Sequence, residues 1–430
     1  MHNFYYLKNK LHCEKVQIRS LAEEFGTPLY VYSAQTITDN FNRLKNSFSD
    51  IDCTICYSVK ANSNLSIINL IAALGGGFDV VSLGELKRVA AAGGDTEKCV
   101  FAGVGKTTEE ITQALKMGIY SFNIESVSEL ARINQIAKTL GKVAPISVRV
   151  NPNIDAGTHS KITTGTYQNK FGIAYEEIER LYASASRLKN VELRGVQMHI
   201  GSQLTSTKPF ELAVKKMIPL VIQLKNKFGI TFFSLGGGIG IVYQDALASG
   251  QSLWWKSSAG SKFITPEKYA EKLLPYLRQL GLKIILEPGR FIVGNAGILV
   301  TKVEYIKNTG TKTFVIVDAA MNDLIRPSFY DAYHEIIPEQ SIPARKPIKC
   351  DVVGPICESG DFFCKDRQIP EPKQGELLVI MSAGAYCASM GSNYNSRPLP
   401  PEVLVNGQTF KLIRRRQSHE DIWSHENSGK

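Results

Sequence analysis

The feature that most constrains this chain is an alternation running from about residue 30 to residue 290, in which a short β-type apolar run is followed by a longer helical pattern. Eight strand candidates carry it: Cys53–Ser58, Phe78–Ser82, Val100–Gly103, Ser121–Ile124, Ile146–Asn151, Gly195–Ile200, Phe232–Leu235 and Ile284–Glu287. Helical patterns fall between most of them, among them Glu109–Met117, Ser126–Leu140, Tyr175–Ser186, Phe210–Phe228 and Pro266–Leu280. Strands that alternate with helices predict a parallel sheet with right-handed crossovers. Eight such strands over roughly 250 residues match an α/β chain folded as a TIM-type (β/α)8 barrel. An open doubly wound sheet is the alternative.

After residue 290 the rhythm changes. Ile298–Ile306, Thr313–Asp318, Lys346–Val353, Glu376–Ser382, Glu402–Val405 and Thr409–Arg414 read as strands with few helical patterns between them, and Asn308-Thr309-Gly310 and Asn406-Gly407 are hairpin signals. This predicts a mainly antiparallel β domain. The first 30 residues have no place in the barrel rhythm and are assigned to that second domain. The expected division is therefore 31–290 for the barrel and 1–30 plus 291–430 for the β domain. Ala246–Ser261, rich in Ser, Gly and Ala and carrying Trp254-Trp255, reads as a surface loop inserted into the barrel.

A length of 430 residues with 43% hydrophobic and 21% charged content suits one large and one smaller ordered domain. The net charge of +10 is scattered, and its densest cluster, Arg414-Arg415-Arg416, is too short to argue for a nucleic-acid face. A diffuse positive balance suits an anionic small molecule at least as well. Eight cysteines are no disulfide scaffold at this length, Met1–Val16 has no apolar core of signal type, and no stretch approaches the ~20 apolar residues that span a bilayer. The expectation is a cytoplasmic protein with reduced thiols, binding neither membrane nor nucleic acid. Cys53-x-x-Cys56 lies in a strand candidate without a second pair, so no metal is expected there.

Barrel enzymes place their chemistry at the C-terminal ends of the strands, which filters the candidates. Lys60 follows the first strand, and apolar neighbours at a barrel mouth would desolvate its amine into a nucleophile. Gly236-Gly237-Gly238 follows the seventh strand, and Pro288-Gly289-Arg290 follows the eighth. Barrels often hold a phosphate there, and glycine lets backbone N–H groups come close to it. His199 ends the sixth strand, where an imidazole could stack on a planar cofactor or sit as a satisfied structural side chain. Glu287 ends an apolar strand, so its carboxylate needs a cation or a hydrogen-bond donor. An amine, a phosphate cradle, a stacking ring and a carboxylate for a ring nitrogen together fit pyridoxal 5′-phosphate, joined to Lys60 as a Schiff base. Gly103-Val104-Gly105-Lys106-Thr107 approaches a nucleotide-binding P-loop but has Val100 where the first glycine belongs, so nucleotide hydrolysis is set aside.

These residues sit in longer motifs: Tyr57-Ser58-Val59-Lys60-Ala61-Asn62, Phe78-Asp79-Val80-Val81-Ser82, His199-Ile200-Gly201-Ser202-Gln203, Gly236-Gly237-Gly238 and Glu287-Pro288-Gly289-Arg290. The β domain adds Arg326-Pro327-Ser328-Phe329-Tyr330-Asp331-Ala332-Tyr333-His334, Cys357-Glu358-Ser359-Gly360-Asp361 and Gly384-Ala385-Tyr386. In this order they resemble the diaminopimelate decarboxylases, within the alanine-racemase-like pyridoxal-phosphate decarboxylases, over nearly the whole chain. The resemblance implies conversion of meso-2,6-diaminopimelate to L-lysine and carbon dioxide, the last step of lysine biosynthesis. It implies cofactor contacts at Lys60, His199, Ser202, Gly236, Gly237, Gly238, Glu287, Pro288, Gly289, Arg290 and Tyr386. Substrate contacts are implied at Arg290, Arg326, Tyr330, Glu358 and Tyr386. Cys357, supplied with Glu358 by the partner subunit of a homodimer, would be the proton donor. Two arginines suit a substrate with two carboxylates and separate this reading from decarboxylases of diamine-forming substrates. Related D-amino acids as substrates, or a non-catalytic barrel, are the competing readings. Ser160-Lys161 after His159 departs from the family's usual Pro-Tyr pair, as does the Trp254-Trp255 segment, and Arg149 is a further residue that would support the cofactor.

Overall fold

The computed structural model describes residues 1–154 and 170–426, so the departure at Ser160-Lys161 lies outside the described residues. The chain divides into two units: Thr38–Ile241 with Lys262–Ile292, and Met1–Ile37 with Val242–Ser261 and Val293–Lys430.

The first of these is the barrel. Its strands are β1 (Cys53–Ser58), β2 (Gly77–Val80), β3 (Cys99–Phe101), β4 (Ser121–Ile124), β5 (Ala144–Asn151), β6 (Val191–Met198), β7 (Phe232–Ser234) and β8 (Lys283–Leu286). All neighbours pair in parallel, and β8 returns to β1 through Ile284↔Cys53, Ile285↔Thr54 and Leu286↔Ile55. That pairing closes the cylinder and excludes the open sheet. Every residue of β2, β3, β4, β5 and β7 is buried, as expected of parallel strands covered on both faces. The crossover helices begin on side-chain caps: Asn64 accepts from Ser66 N, Ser82 from Glu85 N, and Ser126 from Glu129 N, while Thr107 and Glu110 form a reciprocal capping box. Such caps fix where each strand-to-helix turn ends, and thereby the positions of the residues at the barrel mouth.

The near-P-loop motif has a structural explanation. Lys106 is buried, and its Nζ donates to the carbonyls of Gly103 and Asn123 at 2.8 Å each and to Glu129 Oε1 at 2.7 Å. All three ammonium donors are spent inside the fold.

The second unit is built on a sheet in which Gly297–Asn308 is the central long strand. It pairs antiparallel with Leu29–Ser33, Thr313–Val317 and Leu377–Ile380. Phe362–Pro370 pairs antiparallel with Pro347–Val353, and Glu402–Asn406 with Thr409–Arg414, while two pairings in the sheet are parallel. The N-terminal segment supplies a small three-stranded sheet and the helix Ile18–Phe25. Its Phe4, Leu11, Ile18 and Leu21 share a core with Ile298, Val300, Val379 and Val403, as expected of a segment that the barrel rhythm does not absorb. The Trp254-Trp255 segment lies at the surface, with Leu253 exposed, but it groups with this unit and not with the barrel. It forms three short 3₁₀ turns, in which Ser249 and Gly260 are buried, and before the first of them the buried Ala246 has its carbonyl 2.7 Å from His2 Nε2. Among the described residues no helix is long and apolar enough to cross a membrane.

Candidate active site

At the barrel mouth, β1 ends at Ser58 and passes into a single 3₁₀ turn, Val59–Ala61, which carries Lys60. The Lys60 side chain is 41% exposed, so apolar burial does not desolvate it as the sequence suggested. Instead Asp79, at the third position of β2, brings Oδ2 within 2.6 Å of Nζ and accepts a second bond from Ser58 Oγ at 2.7 Å. Strand pairing creates this contact, since Ser58 lies opposite Asp79 in the β1–β2 register. Asp79 was visible as an acid inside an apolar strand, but nothing in the sequence named its partner.

The ends of β1 and β8 are stitched together. Ser58 N donates to the carbonyl of Pro288 at 3.0 Å, and Ser58 Oγ, whose one proton is shared with Asp79, lies 3.0 Å from that of Glu287. The Glu287 carboxylate is buried and accepts from Ser234 Oγ at 2.7 Å and from Gln197 Nε2 at 3.0 Å. Both donors are neutral. Burial, reinforced by the negative charge of Asp79, pushes this carboxyl up to about 7, against the pull of those hydrogen bonds and of Lys60. A carboxylate held this way fits a cationic ring N–H that arrives from outside the protein.

His199 follows β6. Its Nδ1 accepts from Gly237 N at 3.1 Å, which leaves any ring proton on Nε2. Although part of the ring surface stays open, desolvation lowers its basicity well below the usual range, and the positive charges of Arg149 and Lys60 push the same way. The imidazole is thus neutral. The three glycines after β7 have a packing reason of their own: a Cβ on Gly237 would stand 2.2 Å from the Glu287 carbonyl oxygen, and one on Gly238, at φ +111°, 2.4 Å from that of Gly201. Because Gly237 N–H is turned to His199, it is spent within the fold. Arg290 opens a short helix after Gly289 and donates from Nη2 to Ser202 Oγ at 3.1 Å. Arg149, at the end of β5, faces Glu125 with 3.3 Å from Nη1 to each carboxylate oxygen and lies over the Phe171 ring.

The second unit carries the remaining candidates. Arg326 and Tyr330 bound a five-residue helix that ends on Asp331 in the left-handed region, φ +51°. Arg326 is buried, with its Nη1 2.8 Å from His334 Nε2. Tyr386 also holds a positive φ, +58°. Cys357 is the one exposed thiol of the eight cysteines. Its loop is organised by Asp361, whose Oδ2 accepts from Ile356 N at 2.7 Å and Oδ1 from Met321 N at 2.8 Å. Glu358 is exposed, and its carboxylate accepts from the hydroxyl of Tyr394, while the neighbouring Asn395 accepts from Cys357 N at 3.2 Å. Ser328 Oγ donates to the Gly360 carbonyl, joining the Arg326 helix to the Cys357 loop. His334, Tyr394 and Asp361 lay within or near quoted motifs, yet nothing in their spacing assigned them a role.

Comparison with known proteins places this geometry. Residues 34–294 match the family model of the pyridoxal-dependent decarboxylase, pyridoxal binding domain. The chain is 47% identical over 431 residues to a protein of Haemophilus influenzae named diaminopimelate decarboxylase, with all of both chains covered. It is 48% identical to one of the same name from Neisseria meningitidis, over 97% of this chain and 98% of that one. Among solved structures, diaminopimelate decarboxylase from Helicobacter pylori complexed with L-lysine superposes with a TM-score of 0.88 at 42% identity, covering 96% of this chain and 100% of that one.

Proposed function

The chain belongs to the pyridoxal-dependent decarboxylases, in the branch of the diaminopimelate decarboxylases, and on that footing we propose that it removes one carboxylate of meso-2,6-diaminopimelate as carbon dioxide and leaves L-lysine. One carbon–carbon bond breaks, its electron pair stays on the substrate α-carbon, and a proton takes the place of the departing carbon dioxide. Pyridoxal 5′-phosphate, when bound, supplies the sink that accepts this electron pair.

The residues of the barrel divide the remaining work. Lys60 is the attachment point for the cofactor, with Asp79 holding its Nζ in place. Glu287 keeps the ring nitrogen protonated, and the neutral ring of His199 stacks on the cofactor face. Gly236, Gly237, Gly238 and Gly289, with Ser202 and Arg290, offer the phosphate backbone and side-chain donors, while Pro288, which has no N–H, shapes the turn that presents Gly289. Since the Gly237 amide is engaged by His199, the weight of that task falls on its neighbours. In the β unit, Arg326 and Tyr330 receive the substrate carboxylate that is retained, and Glu358 receives the distal ammonium. Cys357 delivers the proton to the α-carbon. Its exposed loop suits a residue that acts, with Glu358, in the site of a second copy of the chain, making the working form a homodimer with shared sites.

The observation that carries the reading is Glu287: a buried carboxylate at the mouth of a closed barrel, held among the described residues by the neutral donors Ser234 and Gln197, is the complement of a protonated ring nitrogen. A substrate panel tests it. The kcat/KM for meso-diaminopimelate should exceed that for D-lysine and D-ornithine by at least about two orders of magnitude, because the second carboxylate has dedicated buried partners. Equal values for all three would overturn the assignment of the substrate.

A further inference from the structure

Arg326 is a buried cation to which no carboxylate comes within ion-pair distance among the described residues, and its Nε has no hydrogen-bond partner. Its surroundings are otherwise well defined. Nη1 lies 2.8 Å from His334 Nε2, and the guanidinium carbon sits 4.6 Å from the centroid of the Tyr243 ring. His334 is fully buried, with Nδ1 2.8 Å from the carbonyl oxygen of Met381. Tyr243 also packs edge-on against the imidazole, at 5.1 Å and 76°. A carbonyl can only accept, so the proton of the His334 ring is on Nδ1, and Nε2 presents a lone pair to the guanidinium. An arginine so placed has one corner consumed by the histidine and one face covered by the tyrosine. What is left is the Nε–Nη2 edge, the fork that matches a carboxylate in a bidentate manner.

We propose that His334 is a positioning residue for substrate selection: it fixes the rotation of Arg326 so that the Nε–Nη2 edge meets the carboxylate the substrate keeps. This rests on the reading of Arg326 as a carboxylate-binding residue given above. The Met381 carbonyl selects the tautomer, the tautomer makes Nε2 an acceptor, and the acceptor turns the guanidinium. The sequence separation of eight residues is bridged by the left-handed turn at Asp331, which brings the chain back on itself.

Two substitutions separate the halves of the imidazole. In His334→Gln the side-chain oxygen can take the place of Nε2 and still accept from Arg326. In His334→Asn the amide can replace Nδ1–H towards Met381, but nothing reaches Arg326. With holoenzyme, His334→Asn is expected to raise KM for meso-diaminopimelate about tenfold or more. The same variant should leave kcat, the visible cofactor band and KM for D-lysine, which lacks the second carboxylate, within about twofold. His334→Gln should restore most of the KM for meso-diaminopimelate. Wild-type KM in His334→Asn would overturn the proposal, as would equal losses of kcat and cofactor band in both variants, since those report a structural role alone. Should wild-type enzyme itself fail to prefer meso-diaminopimelate over D-lysine, the carboxylate-binding reading of Arg326 falls, which is a different failure from an unresponsive His334.

Discussion

Lys60 Nζ lies 2.6 Å from Asp79 Oδ2, and the same carboxylate oxygen also accepts from Ser58 Oγ at 2.7 Å. Lys60 Nζ is therefore held by a charged partner on the next strand. Asp79→Asn keeps the shape and the bond from Ser58 but removes the charge. Turnover should fall about tenfold or more while the visible cofactor band survives, because the amine itself remains. Steady-state kinetics beside an absorption spectrum check this; unchanged turnover would show the pair to be incidental.

Glu287 makes a prediction in both catalysis and stability. Glu287→Gln should cost about two to three orders of magnitude in kcat, since the amide cannot keep a ring nitrogen protonated. For the cofactor-free protein the sign follows from the raised value of about 7. A carboxyl whose folded-state value lies above its unfolded one binds its proton more tightly when folded, so its stabilisation is complete at low pH and is lost as pH rises through about 7. Thermal melts of cofactor-free protein between pH 5 and pH 8 should thus fall more steeply for wild type than for Glu287→Gln. Asp323, also raised to about 7 by burial, contributes the same sense in both proteins and cancels in the comparison. Parallel melting curves would contradict the account.

The proposed sharing of the site between two copies of the chain has an arithmetic consequence. Lys60→Ala and Cys357→Ala should each be inactive alone. Mixed, unfolded and refolded in equal amounts, half the dimers are hybrids in which one of two sites is intact, and activity should return to about a quarter of wild type. No recovery from a mixture shown to contain hybrid dimers would place both residues in the site of the same subunit.

Tyr394 is expected to govern Glu358, because its hydroxyl donates to that carboxylate on an exposed loop. Tyr394→Phe should raise KM for meso-diaminopimelate about threefold to tenfold with kcat little changed, as the carboxylate loses its fixed position. Titration of initial rates against substrate decides it, and an unaltered KM would mean the bond is a surface contact without consequence.

The barrel was legible because its signal is local. Each of the eight strands sits within a few residues of its apolar run, and the antiparallel strands Thr313–Val317 and Thr409–Arg414 follow the same logic. Residues at strand ends, such as Lys60, His199 and Glu287, could be picked out because the barrel topology says where mouths are. What escaped depends on pairing between distant segments. Asp79 meets Lys60 only through the β1–β2 register, and Gln197 and Ser234 meet Glu287 only because three strand ends converge. His334 reaches Arg326 around a turn that has no periodicity to read. Val242–Ser261 joins the β unit through its packing with the N-terminal residue His2, a contact across more than half the chain. The strand Phe362–Pro370 was hidden because charged and apolar residues share it without strict alternation.

The central claim is tested most directly by supplying purified protein with pyridoxal 5′-phosphate and meso-2,6-diaminopimelate and measuring carbon dioxide and lysine together. Both products are expected, in equal amounts, from wild type and neither from Lys60→Ala. Absence of carbon dioxide from wild-type protein that shows its visible cofactor band, or carbon dioxide without lysine, would contradict it.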